Sequence, residues 1–157
     1  MSVRVVQGDL SARDARVVIV ASRFNARVVD ALVEGAVATL TGHGLAQSNL
    51  RIVRVPGAFE LPSAVRLVIE YDHPDGVIAL GAVIRGETPH FDYISSACTE
   101  GLSLISVEQD IPLSFGVLTT DTGEQALARA GGDKGNKGED AALAVLEMID
   151  LTRQLSR

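Results

Sequence analysis

The chain predicts an α/β fold, a parallel sheet covered on both faces by helices. Three observations carry that expectation. β-branched apolar runs alternate four times with apolar stripes at helical spacing. The runs are near-continuous rather than apolar at every second residue, as strands buried on both faces must be. Each strand-to-strand connection is long enough for a helix, and right-handed crossovers distribute those helices over the two faces. At 157 residues the whole chain, 1–157, fits a single domain.

The first strand is Val17 to Ala21. Val29, Leu32, Val33, Ala36, Val37 and Leu40 mark the helix after it, which Gly42-His43-Gly44 stops. Ile52 to Val55 is the second strand, ended by Pro56-Gly57. Leu61, Val65, Val68 and Ile69 form the next stripe, with Pro62 tolerated because it lies in the first turn. Asp72 to Gly76 is a turn. Val77 to Ile84 is the third strand, and a helix runs from about His90 to Glu108. Asp110-Ile111-Pro112 breaks it before a fourth strand, Leu113 to Leu118. Thr122 can cap a short helix that stops at Gly131-Gly132, and the last helix buries Ala142, Val145, Leu146 and Ile149. Residues 1–10 form an arm. Within it Val3 to Val6 is strand-like without a hairpin partner, which suggests pairing with the sheet of another subunit.

Composition narrows the function. Net charge is −6, which argues against a nucleic-acid or anionic-membrane surface. The single cysteine, Cys98, excludes an internal disulfide and lies on an apolar helical stripe, as filler does. No apolar run approaches the roughly 18 residues of a membrane span, and the start lacks a signal-peptide core, so the expected location is cytoplasmic. No residue spacing suggests a metal site, and there is no Gly-x-Ser-x-Gly elbow, Walker loop or dinucleotide fingerprint.

Open α/β sheets bind ligands beyond the carboxyl ends of their strands. The first such end, Ser22-Arg23-Phe24-Asn25, offers a Phe that can stack on a flat heterocycle or serve as core. At the second, Val55 to Glu60, Pro56 and Gly57 shape a turn whose N–H groups can face a ligand. Glu60 is either a helix-dipole partner or an acceptor for ligand hydroxyls. The third, Gly81 to His90, is the richest. Its Gly-containing loop enters a helix and offers N–H groups to a phosphate, with Thr88 adding a hydroxyl. His90 opens that helix, where the positive end of the dipole favours a neutral base; it is either a surface histidine or a proton-transfer group. His43 and His73 sit in turns with no such company. After the fourth end, Phe115 to Thr120, the segment Ala128 to Gly138 is either a solvated hinge or the source of Arg129 as a phosphate clamp.

Read together, RFN, PGAFELP, ALGAVIRGETPHFDY, FGVLTT, EQALARAG and GNKG resemble the 6,7-dimethyl-8-ribityllumazine synthase family, in order and spacing, over nearly the whole chain. The resemblance implies a three-layer, flavodoxin-like fold with strand order 2-1-3-4 and an N-terminal strand lent to a neighbouring subunit. It implies a transferase of riboflavin biosynthesis that condenses 5-amino-6-(D-ribitylamino)uracil with 3,4-dihydroxy-2-butanone 4-phosphate, without cofactor or metal. Position by position, it implies that Phe24 stacks on the pyrimidine, beside Asn25. Ala58, Phe59 and Glu60 hold the ribityl chain, and Val83 and Ile84 meet the ring through their backbone. Gly86, Glu87 and Thr88 form the phosphate loop, and His90 transfers protons. Phe115 and Arg129 reach in from a neighbouring subunit, Arg129 onto the phosphate, and Lys137 bonds the pyrimidine. The expected partners are small-molecule substrates and copies of the same chain in a pentamer, with riboflavin synthase a candidate. The length of the Gly131 to Asn136 stretch favours an icosahedral 60-mer of such pentamers. Ala82 stands where many members have Thr, and Pro89 replaces a common polar residue.

Three competing readings follow from the same residues. A flavin-binding module would keep the fold without turnover, and His90 with Arg129 argue against it. A purely structural shell protein would not need intact site motifs. A response-regulator-like domain would need clustered acidic residues after the first strand, which are missing.

Overall fold

The computed structural model describes residues 2–157. Four parallel strands, β1 (Val17–Ser22), β2 (Leu50–Val55), β3 (Gly76–Ile84) and β4 (Leu113–Thr120), form one sheet in the order β2-β1-β3-β4. Helices α1 (Ala26–Gly42), α2 (Leu61–Asp72), α3 (His90–Glu108), α4 (Gly123–Ala128) and α5 (Lys137–Leu155) cover it. This is the expected three-layer architecture and strand order. The central strands explain why their sequences do not alternate: every residue of β1 is buried, and so is every residue of β3 before Ile84.

Each face of the sheet has its own core. On one side Ile19, Leu80 and Leu118 pack with Leu32 and Ala36 of α1 and with Val145, Leu146 and Ile149 of α5. On the other, Val18, Val20 and Val77 pack with Leu61 and Val65 of α2 and with Cys98 and Leu102 of α3. α1 and α5 meet almost backbone to backbone. A Cβ on Gly138 would lie 2.0 Å from the Leu32 carbonyl oxygen, so only glycine fits there. Asn136 fastens this joint. Its side-chain carbonyl accepts from the Gly138 and Glu139 N–H groups, capping α5, while its amide donates to the Ala31 carbonyl of α1 at 3.1 Å.

The elements fall close to their expected bounds, with some differences. α4 ends at Ala128, short of the stop expected at Gly131-Gly132, because Ala130 already enters a strand. β4 continues to Thr120, because its register with β3 persists to the Ile84–Thr120 pair. The segment expected as a Gly-rich hinge folds instead as a small antiparallel hairpin, β5 (Ala130–Gly132) with β6 (Gly135–Asn136). Its backbone uses positive φ at Gly131 and Gly135, conformations that glycine adopts freely. Short 3₁₀ turns at Gln47–Asn49 and Ala58–Glu60 lead into β2 and α2. Thr122 caps α4 as anticipated, within a reciprocal capping box with Gln125.

Within this chain Val3 to Val6 is not a strand. The segment is irregular, and Val3 and Val5 are exposed. The arm is tied down only from Gln7 on, where its backbone runs along α5. Gln154 donates to the Gln7 carbonyl at 2.9 Å, and the Asp9 N–H donates to the Asp150 carboxylate at 2.9 Å.

Candidate functional site

The carboxyl ends of the strands are stitched into a continuous rim. The β1–β2 pairing runs on past the strands, with the Arg23 N–H donating to the Val55 carbonyl and the Phe24 N–H to that of Pro56. Phe24 is thereby set beside the Pro56-Gly57 turn. Asn25, in the left-handed conformation at φ 61°, turns its side-chain amide onto the Ala82 carbonyl at 2.8 Å. This ties the end of β1 to that of β3. The Arg85 N–H in turn donates to the Thr120 carbonyl at 2.9 Å, closing β3 onto β4.

Between these ends lies a cavity of about 170 Å³ whose lining includes Phe24, Asn25, Ala58, Val83, Ile84, Gly86, Thr88 and His90. Three of the four expected strand ends thus converge on one place. Phe24 is 72% exposed, which decides against a core role and leaves its ring free to stack. His90 stands at the first position of α3, solvent-exposed, with its backbone N–H toward the Thr88 hydroxyl at 3.4 Å. Val83 and Ile84 end β3 and line the cavity.

Other expected residues stand apart. Glu60 ends the 3₁₀ turn that leads into α2, half-buried, and its carboxylate makes no hydrogen bond among the described residues. Phe59 and Glu87 are exposed near the rim rather than in the cavity wall. Phe115 and Lys137 line a different cavity, of about 280 Å³, between β4 and α5, with Asp140, Val145 and Met148. Arg129 ends α4 and donates to the Gln125 carbonyl at 3.0 Å. Within one chain, then, His90 is not joined by Phe115, Arg129 or Lys137.

Three lining residues were not singled out as site residues: Ala82, Phe91 and Ile94. Phe91 and Ile94 are three apart on α3, directly after His90, and that spacing was the available signal. Among the described residues no cluster of three or more His, Cys, Asp or Glu side chains could hold a metal ion. No helix is long and apolar enough to cross a membrane, again among the described residues. Cys98 is fully buried, and burial pushes its thiol up to about 11, so it is inert packing.

A family model for 6,7-dimethyl-8-ribityllumazine synthase matches residues 14–153. The chain belongs to this family. Lumazine synthases are transferases that serve riboflavin biosynthesis, and the cavity lies where an open sheet of their fold class binds ligands. The match begins and ends at residues that touch: Arg153 donates to the Asp14 carboxylate at 2.9 Å, so the lumazine synthase region closes on itself. The arm lies outside it.

Proposed function

We propose that this chain condenses 5-amino-6-(D-ribitylamino)uracil with 3,4-dihydroxy-2-butanone 4-phosphate to give 6,7-dimethyl-8-ribityllumazine. The observation that carries this reading is one cavity in which an exposed Phe, Gly86 and Thr88 of the following loop, and a histidine at a helix start face the same space in a member of this family. The substrate's own amine attacks the ketone to form an imine with loss of water, phosphate leaves, and the ring closes with loss of a second water. The protein's work is positioning and proton transfer. Phe24 stacks on the pyrimidine, with Asn25 fixing the loop it stands on. Ala58, Phe59 and Glu60 hold the ribityl chain. Val83 and Ile84 bond the ring through their main chain, Gly86, Glu87 and Thr88 receive the phosphate, and His90 moves the proton.

Residues 1–157 act as a single domain whose arm, 1–10, reaches a neighbour. In this reading Lys137 bonds the pyrimidine, and Phe115 and Arg129 complete the cavity of an adjacent copy. Their separation from His90 within one chain supports such sharing. The assembly is a pentamer, with an icosahedral 60-mer and an association with riboflavin synthase as its larger forms. The enzyme works in the cytoplasm.

Purified protein mixed with the two substrates should form the lumazine chromophore and release phosphate. If neither exceeds the uncatalysed rate, the reading fails. His90→Ala should slow turnover by about 10²–10⁴-fold while a product analogue still binds. Loss of that binding in folded protein would make His90 a binding residue instead. Arg129→Ala should raise KM for the phosphorylated substrate, and an unchanged KM would remove it from the phosphate site.

A further inference from the structure

Arg85 is the first residue after β3, and its side chain turns away from the sheet toward α3. Its guanidinium lies 4.4 Å from the centroid of the Phe91 ring, its Nε donates to the Asp121 carboxylate at 2.8 Å, and one terminal nitrogen lies 3.4 Å from Asp92. One cation therefore joins three pieces of chain: the end of β3, the first turn of α3 and the start of the β4–α4 connection.

We propose that Arg85 is the positioning residue of the active-site loop. It clasps the two ends of the segment 86–90 so that Thr88 and His90 keep a fixed relation to the cavity. The inference rests on the proposed function for its meaning in catalysis, but the clasp is a statement about the chain itself. Gly86, Glu87, Thr88, Pro89 and His90 are all exposed, and among the described residues no backbone–backbone hydrogen bond holds Gly86, Glu87 or Thr88. A Cβ built on Gly86 meets nothing within 4 Å. Packing does not set this loop. What sets it is where its ends are held. One end is Arg85, whose own N–H is bonded to Thr120; the other is Phe91 and Asp92, which the Arg85 side chain touches.

Arg85 is not itself a phosphate clamp. It is shared between two carboxylates, so the local charge is one positive against two negative. Each ion pair is individually weak because all three side chains are well exposed, Arg85 the least at 46%. Their value is geometric: a planar fork over an aromatic face holds a direction that a lysine cannot.

The test compares Arg85→Met, Arg85→Lys and Asp121→Asn. Asp121→Asn loosens the clasp while making the region less negative, so positioning and simple charge attraction predict opposite signs. Both Arg85→Met and Asp121→Asn should lower kcat/KM, by about tenfold to a hundredfold for the former, since small misplacements are costly. Arg85→Lys should recover part of that loss. Without any substrate, amide hydrogen exchange of residues 86–92 should quicken in Arg85→Met and Asp121→Asn while the melting temperature barely moves. An Asp121→Asn variant that binds the phosphorylated substrate as well as or better than the parent would overturn the proposal, as would unchanged exchange in Arg85→Met. If the parent shows no turnover, the proposed function falls, and the exchange measurement still decides the clasp.

Discussion

The two faces of the sheet are built to different standards. On the α1–α5 side the helices meet through glycine at near backbone contact, and α1 buries seven of its residues, including Val29, Leu32 and Ala36. On the α2–α3 side, α3 is longer but buries only Cys98 and Leu102, and it leaves Tyr93, Leu104 and Val107 in solvent. The first face is largely closed within one chain, although α5 leaves Met148 and Leu155 exposed. The second carries His90 at its head and apolar side chains with nothing of this chain over them. What the contrast teaches is a division of labour: packing is concentrated on the α1–α5 side, and the proposed proton-transfer residue heads a long helix that commits few of its residues to the core.

Substitutions should separate the faces, beginning with the largest effect. Leu146→Ala empties a fully buried position between α5 and the sheet and should cost about 2–5 kcal/mol in denaturant unfolding. A loss under 1 kcal/mol would mean the α1–α5 joint is softer than its geometry. Gly138→Ala forces the same helices apart and should cost about 1–3 kcal/mol, with the lowered midpoint read from thermal unfolding.

Cys98 reports on the opposite face through pH. Its thiol titrates near 11 in the fold against a reference of 9.0, so the folded state holds the proton more tightly. The stability this contributes is complete below pH 9 and declines as pH rises from 9 toward 11. In Cys98→Ala that part of the alkaline decline should vanish. The native thiol should also resist an aromatic disulfide reagent at pH 8; rapid labelling would show that α3 lifts from the sheet on its own. Smallest of all, Val107→Ser at an 81% exposed position should change unfolding free energy by no more than about 0.5 kcal/mol. A larger loss that grows with protein concentration would show that a second copy covers α3.

Much of this is legible in the sequence. The strands were readable because residues buried on both faces leave unbroken runs such as Val17 to Ala21, and α3 began and ended where His90 and Asp110-Ile111-Pro112 suggested. The hairpin at Ala130 to Asn136 was not, because Gly-rich sequence is compatible with both a hinge and a tight turn. Within the site, Phe24, Ala58, Gly86 and His90 could be placed together because strand ends converge in this topology. Phe91 is easily overlooked, since an apolar aromatic residue in the first turn of a helix looks like core. The clasp was out of reach for a different reason. Arg85, Asp92 and Asp121 are ordinary surface charges in sequence, and only folding brings Asp121 to Arg85.

The joint between α1 and α5 also bears on how the chain is made. Ala31 and Asn136, which bond across it, are 105 residues apart. At a synthesis rate of about 5–20 residues per second, the apolar stripe of α1 waits roughly 5–20 s for the helix that will cover it. The best-packed face of the finished molecule is therefore the last to close, and during translation it is the nascent chain's stickiest surface.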